Sequence, residues 1–320
     1  MSGKVWVVGA GKGGVGKTFV ASSMGVTLAR MKNRVLLVDL DFSGANMHTA
    51  IGESAKRPGL EHYWFSGAAL GELVFQSQVG GMFYVRGFSH QWVSWNPTAV
   101  QAKKLISDLA KLHFDYIILD LGPGGGSFHA ELFKAADEKI VITSPEPTSI
   151  EKTYRLWESI IGDSWVDQSP EALHQIVLES MGRYRQNYSI CETSFREFVE
   201  QSLPAEPSVE AKKPSLSLVG GPSFSQAPPG SGFRLVMNGS RSLQDNNLGH
   251  SIKSVSKKHF NIDVDYVGAL DYDNAVWQSM RTFQLLLHEK PYIPLTGQVL
   301  NLCKQILNTN FDATPIRAVI

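Results

Sequence analysis

Short runs of consecutive apolar residues alternate with amphipathic stretches through the first half of the chain. KVWVVGA, RVLLVDLD, FDYIILDLG and KIVITSP are too short for helices and are continuous in Val, Ile and Leu instead of alternating. That is the pattern of strands covered on both faces. Between them, KTFVASSMGVTLARMK and AVQAKKLISDLAKL repeat their apolar residues at helical spacing. The pattern predicts an α/β fold: a mostly parallel, twisted sheet with helices on both faces.

After Ile150 the pattern becomes helical three times over, in SIEKTYRLWESII, PEALHQIVLESMGRYRQ and CETSFREFVEQSL, and then gives way to a Pro-, Ser- and Gly-rich stretch over 203–231. Such a stretch offers little to bury against its ordering entropy and reads as a flexible loop. FRLVMN and DVDYVGAL, separated by the helical NLGHSIKSVSKKHF, resume the sheet. One domain over residues 1–320 is therefore expected, with residues 160–231 as an insertion, helical to about 202. Trp157, Trp165, Tyr184, Tyr188 and Phe195 are expected to pack a small helical lobe in preference to forming a partner surface.

Charge narrows the function classes. Lys and Arg number 30 and so do Asp and Glu, so nothing draws the whole molecule to nucleic acid or anionic lipid. Cys191 and Cys303 lack CxxC or Cys/His spacing, which argues for a reducing compartment and against a zinc site. No run of about eighteen apolar residues occurs, and the first strand leaves no room for a signal peptide, so a soluble cytoplasmic protein is expected.

Chemistry concentrates at three strand ends. GKGGVGKT, Gly11 to Thr18, fits G-x-x-x-x-G-K-[ST] between a strand and a helix. There Gly11, Gly13, Gly14, Val15 and Gly16 turn backbone N–H groups onto a phosphate chain; Lys17 reaches the β and γ phosphates and Thr18 offers Mg²⁺ a hydroxyl. In LVDLD, Asp39 and Asp41 close the second strand, where ligands of open α/β sheets bind. Asp120 closes YIILD as a Walker B acid for the Mg²⁺ shell, and Gly122 and Gly124 to Gly126 follow it as a loop able to sense the γ phosphate. His48 and His129 lack a metal-ligand companion at helical spacing and read as structural. Trp92 and Trp95 read as packing, and Lys253, Lys257 and Lys258 as a solvated face.

GKGGVGKT with its extra Lys12, LVDLD and ILDLGPG together resemble the deviant Walker A ATPases of the MinD/ParA family, which also holds relatives of nitrogenase iron protein. SPEPTSI, VMN and YVGALDYDNAVWQSM resemble its flagellar-number regulator branch, FlhG or FleN. The resemblance implies a slow ATPase with ATP and Mg²⁺ as ligands. It implies that Lys12 reaches across a homodimer to the partner's ATP and that Asp41 orients the attacking water. Asn238 is implied to recognise adenine, and Asp271 stands where the base-flanking segment usually carries proline. An unidentified protein that stimulates hydrolysis is implied as partner, with recruitment by a partner to the cell pole or peripherally to the inner membrane. Non-specific DNA binding, as in the ParA branch, is the alternative; a cluster or electron-transfer ATPase ranks below both. The GTPase-activating extension common in the flagellar branch is not expected, because the sequence opens on its first strand. At the other end Val299, Leu302, Cys303 and Ile306 follow helical spacing with Lys304 the one basic residue of that helix, so this helix is expected to pack on the core and not to anchor a membrane.

Overall fold

A computed structural model describes residues 3–78, 81–88, 95–168, 179, 232–260 and 262–308, with the backbone alone for 163–168. The continuous apolar runs form strands β1 (Lys4–Ala10), β2 (Val35–Leu40), β5 (Tyr116–Pro123) and β6 (Glu138–Thr143), and the resumed pattern forms β7 (Phe233–Ser240) and β8 (Val264–Asp271). Two very short strands, β3 (Phe75–Gln76) and β4 (Phe83–Val85), extend one edge. The sheet order is β3-β4-β2-β5-β1-β6-β7-β8. Every pairing is parallel except β3 with β4. The predicted mostly parallel α/β sheet is thus observed.

Successive residues of a strand face opposite sides, and the core divides accordingly. Trp6, Val8 and Ala10 of β1 pack with α1 (Lys17–Arg30) and α10 (Pro294–Asn308) on one face. Val7 packs on the other with α4 (Ala99–Leu109), α5 (Ser127–Ala135), α6 (Pro147–Gln168) and α7 (Leu243–Phe260). Short helices α2 (Met47–Ala50), α3 (Leu60–Phe65), α8 (Asn274–Arg281) and α9 (Leu286–Glu289) fill the connections. Val299, Leu302, Cys303 and Ile306 are buried on α10, as their spacing predicts. Among the described residues no helix is long and apolar enough to cross a membrane.

Helix α6 does not stop where the insertion was expected to begin. It continues through residue 160 to Gln168, and Ile160 and Ile161 are still in the core. Trp157, grouped in sequence with the insertion's aromatics, is fully buried and meets Phe233 of β7 at 5.9 Å between ring centroids. It belongs to the sheet's core because it shares the inward face of α6 with Ile160 and Ile161. Apart from residue 179, the other two helical stretches lie outside the described residues, as do the 203–231 loop, Cys191, Trp92, Tyr184, Tyr188, Phe195 and the Trp165 side chain.

Candidate functional site: a phosphate loop beside an uncompensated carboxylate pair

Parallel strands bring the predicted residues to one end of the sheet. β1 leads into the loop at Gly11 to Gly16, and α1 starts at Lys17. Gly14 and Gly16 have φ of 78° and 90°, a region that only glycine enters without strain. Gly16 also abuts the Asn238 amide, and a methyl on Gly11 would collide with the Lys152 carbonyl of α6. The loop is therefore clamped between β7 and α6. Asn238 Nδ2 donates to the Val15 carbonyl at 2.8 Å, so the adenine candidate does join the phosphate loop.

Asp39 and Asp120 are register partners on β2 and β5, each 1% exposed. Asp39 accepts from the Met47 and Asp41 backbone N–H groups at 3.0 and 3.1 Å. Thr18 Oγ1 donates to Asp120 Oδ2 at 2.6 Å, while Asp120 Oδ1 is buried with no partner. Burial raises both carboxyls above the usual range, and the charge of Asp39 raises Asp120 further. Two facing carboxylates, a hydroxyl and an orphaned oxygen suit a hard divalent cation that keeps water and phosphate oxygens as its remaining ligands. Among the described residues no group of three or more His, Cys, Asp or Glu could hold a metal by itself. The donor set therefore fits a metal–nucleotide complex better than an all-protein cage.

Asp41 is turned back on its own loop. Its Oδ1 accepts from Ser43 N at 3.0 Å, Ser43 Oγ at 2.7 Å and Gly44 N at 3.0 Å. The two lysines of the loop part company. Lys17 is buried, 6% exposed, at the head of α1. Lys12 is a surface cation paired with Glu146, and it donates to Thr148 Oγ1 at 3.2 Å at the start of α6. Asp271 is not gathered in. Its carboxylate accepts from Gln298 Nε2 at 2.6 Å, and it lines a cavity of about 790 Å³ with Ser240, Arg241, Tyr272 and Gln298 at the outer edge of the sheet.

Glu146, His129 and Ser159 also reach this region. His129 reads from the sequence as structural, whereas Glu146, within SPEPTSI, and Ser159 carry no local spacing that ties them to the phosphate loop. On the face that carries Lys253, Lys257 and Lys258, Lys253 lies 3.6 Å from Asp265 and Lys257 lies 2.8 Å from Asp263.

Residues 2–160 match the ParA family model, described as NUBPL iron-transfer P-loop NTPase. An uncharacterized ATP-binding protein of Methanocaldococcus jannaschii is 28% identical over 176 residues, 55% of this chain and 64% of that one. A putative septum site-determining protein MinD of Oltmannsiellopsis viridis is 30% identical over 151 residues, 47% and 48% of the two chains. The chain thus spans between about half and two thirds of the length of these relatives. The fold is shared with the septum site-determining protein MinD of Pyrococcus horikoshii, solved with Mg-ADP, at a TM-score of 0.59 and 16% identity over 95% of each chain. Sequence match, sheet order and phosphate loop agree: residues 2–160 match the P-loop NTPases of the ParA/MinD family, and the chain shares their fold.

Proposed function

We propose that the protein is an ATP-dependent dimerisation switch, a slow ATPase whose ATP-bound homodimer positions or counts a cellular structure, by resemblance flagella or other polar machinery. The observation that carries this reading is the division between the two lysines. Lys17 is buried beside the carboxylates, where one nucleotide needs it, whereas the Lys12 side chain is 30% exposed on a surface pair with Glu146 that it can leave to serve a second nucleotide.

Backbone N–H groups from Gly13 to Thr18 and the N-terminus of α1 hold the phosphates, and Lys17 neutralises the β and γ oxygens. Thr18, Asp39 and Asp120 hold Mg²⁺, which neutralises phosphate charge when bound. Asn238 has its side-chain oxygen left for the adenine edge while its amide holds Val15. Asp41 leaves its Ser43–Gly44 turn to orient the attacking water, and Lys12 leaves Glu146 to meet the partner subunit's ATP. Asp271, engaged by Gln298, stays out of the base contact in this reading. A protein partner accelerates hydrolysis and recruits the cytoplasmic dimer to its site.

A ParA-like partitioning ATPase that binds DNA non-specifically is the second reading, favoured by the family match. Its expected basic face is partly neutralised, since Asp263 and Asp265 pair with Lys257 and Lys253. The iron-transfer description of the family finds less here, because Cys303 is buried in α10.

The test is the mass of Asp41→Ala by light scattering with and without ATP. A stable ATP dimer is expected, with turnover reduced about 100-fold or more; Lys12→Ala should bind ATP and remain monomeric. An Asp41→Ala mass that ATP does not change overturns the switch.

A further inference from the structure

The loop leading from Asp120 into α5 is pinned at both ends by side chains that the proposed hydrolysis leaves without a task. At its exit Gly126 N donates to Ser159 Oγ of α6 at 3.1 Å, and a methyl on Gly125 would press on that hydroxyl at 2.7 Å. At its entrance His129 Nε2, on α5, lies 3.2 Å from the Gly122 carbonyl. A carbonyl only accepts, so this ring nitrogen carries the proton. Between the pins Gly124 and Gly126, at φ of 99° and 123°, let the backbone turn freely.

The entrance pin sits beside Asp41. A methyl placed on Gly122 would lie 3.2 Å from Asp41 Oδ1 and 3.5 Å from its Cα, so the absence of a side chain at Gly122 leaves the room beside Asp41. Asp41 must give up three hydrogen bonds on Ser43 and Gly44 and rotate alongside Gly122 to reach a water at the γ phosphate. Where the Gly122 peptide stands therefore sets the room for that rotation, and a misplacement of about 1 Å in such a site costs on the order of 100-fold in rate. His129 also lies close enough to Asp41 and Lys17 to feel both charges.

We propose that His129 is a positioning residue for hydrolysis: by donating Nε2–H to the Gly122 carbonyl it fixes the peptide past which Asp41 swings. The proposal rests on the ATPase reading above. It does not involve nucleotide binding, because His129 touches none of the residues assigned to the phosphates or the cation.

Two substitutions separate this from a packing role. His129→Phe keeps a ring of similar shape and removes the donor; His129→Gln keeps a donor near the Nε2 position and removes the ring. Steady-state ATPase of the full chain is measured for both, with affinity for a fluorescent ATP analogue and melting temperature. His129→Phe should lower kcat about 10- to 100-fold with nucleotide affinity within about two-fold of wild type, and His129→Gln should recover most of that loss. Gly122→Ala, which crowds Asp41 directly, should also lower kcat, and its effect should not add to that of His129→Phe. Wild-type kcat in His129→Phe, an equal fall of kcat and affinity, or a His129→Gln variant no faster than His129→Phe overturns the positioning role. If instead the wild-type chain turns over no ATP, the functional reading itself falls, and this role with it.

Discussion

Two groups of charged side chains, each with a buried member, lie at opposite ends of the same sheet, and they are built in opposite ways. Where the parallel strands begin, Arg234 of β7 is 1% exposed and reaches Glu138 of β6 at 3.0 Å and Asp265 of β8 at 2.9 Å. Lys253 adds a second cation beside Asp265. Opposite charges meet there, and three strands are tied together. Where the strands end, Asp39 and Asp120 face each other with the same charge, and one Asp120 oxygen has no partner. The first group is complete within the chain. The second is not, and a cation with phosphate oxygens is what its geometry lacks. A polar cluster closed within the chain is scaffold, whereas one left open marks where a ligand finishes the structure.

The largest effect expected from this contrast is on stability at the closed end. Arg234→Ala removes the buried guanidinium that Glu138 and Asp265 share, and because these carboxylates are 20% and 30% exposed the loss is expected at about 1.5–3 kcal/mol, the worth of hydrogen bonds to a charged group. Urea unfolding should show that loss. Nucleotide affinity in the folded fraction should not change, because the phosphate loop lies at the other end of the sheet. A loss below about 1 kcal/mol would mean that water has taken over the arginine's role and that the cluster is not closed in solution.

The open end should respond with the opposite sign. The folded protein raises the carboxyls of Asp39 and Asp120 from 3.8 to about 6 and about 8. Between about pH 4 and 8 the folded state therefore binds protons more tightly than the unfolded chain. This contribution is fully present below the unfolded value and is lost as pH rises through the folded values. Nucleotide-free protein should lose stability from pH 5 to 8. Asp120→Asn should flatten that slope and gain about 1–2 kcal/mol at pH 7.5, because a neutral amide escapes the cost of keeping Asp120 protonated beside the Asp39 charge, while abolishing most turnover. A chemical-denaturation series across pH decides it: an unchanged slope in the variant removes the repulsion, and with it the contrast between the two ends.

How far the sequence showed this depended on the distance between the groups involved. The phosphate loop, Asp39 and Asp120 were legible because each is carried by one strand and one turn, whose period and spacing are local. Strands β3 and β4, two and three residues long, carry no period to detect. Helix α5 was hidden behind its glycines; it holds because Phe128, Leu132 and Phe133 find the core. Glu146 stands 134 residues from Lys12 and Ser159 stands 33 from Gly126. Pairs like these arise from topology, and no spacing rule announces them. The lack of a metal companion at helical spacing marks His129 as structural, and its partner is a carbonyl seven residues back, which no spacing rule names. Trp157 was misplaced for a related reason: the helical period of α6 runs unbroken across the junction between core and insertion.

Lys12 and Glu146 form a pair of a third kind, neither closed in the core nor left open, and the smallest effect is expected there. Their side chains are 30% and 60% exposed, so solvent and salt weaken their attraction to about 1 kcal/mol or less. If Lys12 serves the partner subunit's ATP, Glu146 competes for it inside the monomer. Glu146→Gln should then tighten the ATP dimer by up to about five-fold, with Thr148 still holding the lysine loosely. Sedimentation over a concentration series measures the shift, and raising the ionic strength should erase the difference between wild type and variant, since only screened surface charge separates them. A dimer weakened by Glu146→Gln would reverse the assignment: Glu146 would then act across the interface itself, and its pairing with Lys12 in one chain would not be a restraint on dimerisation.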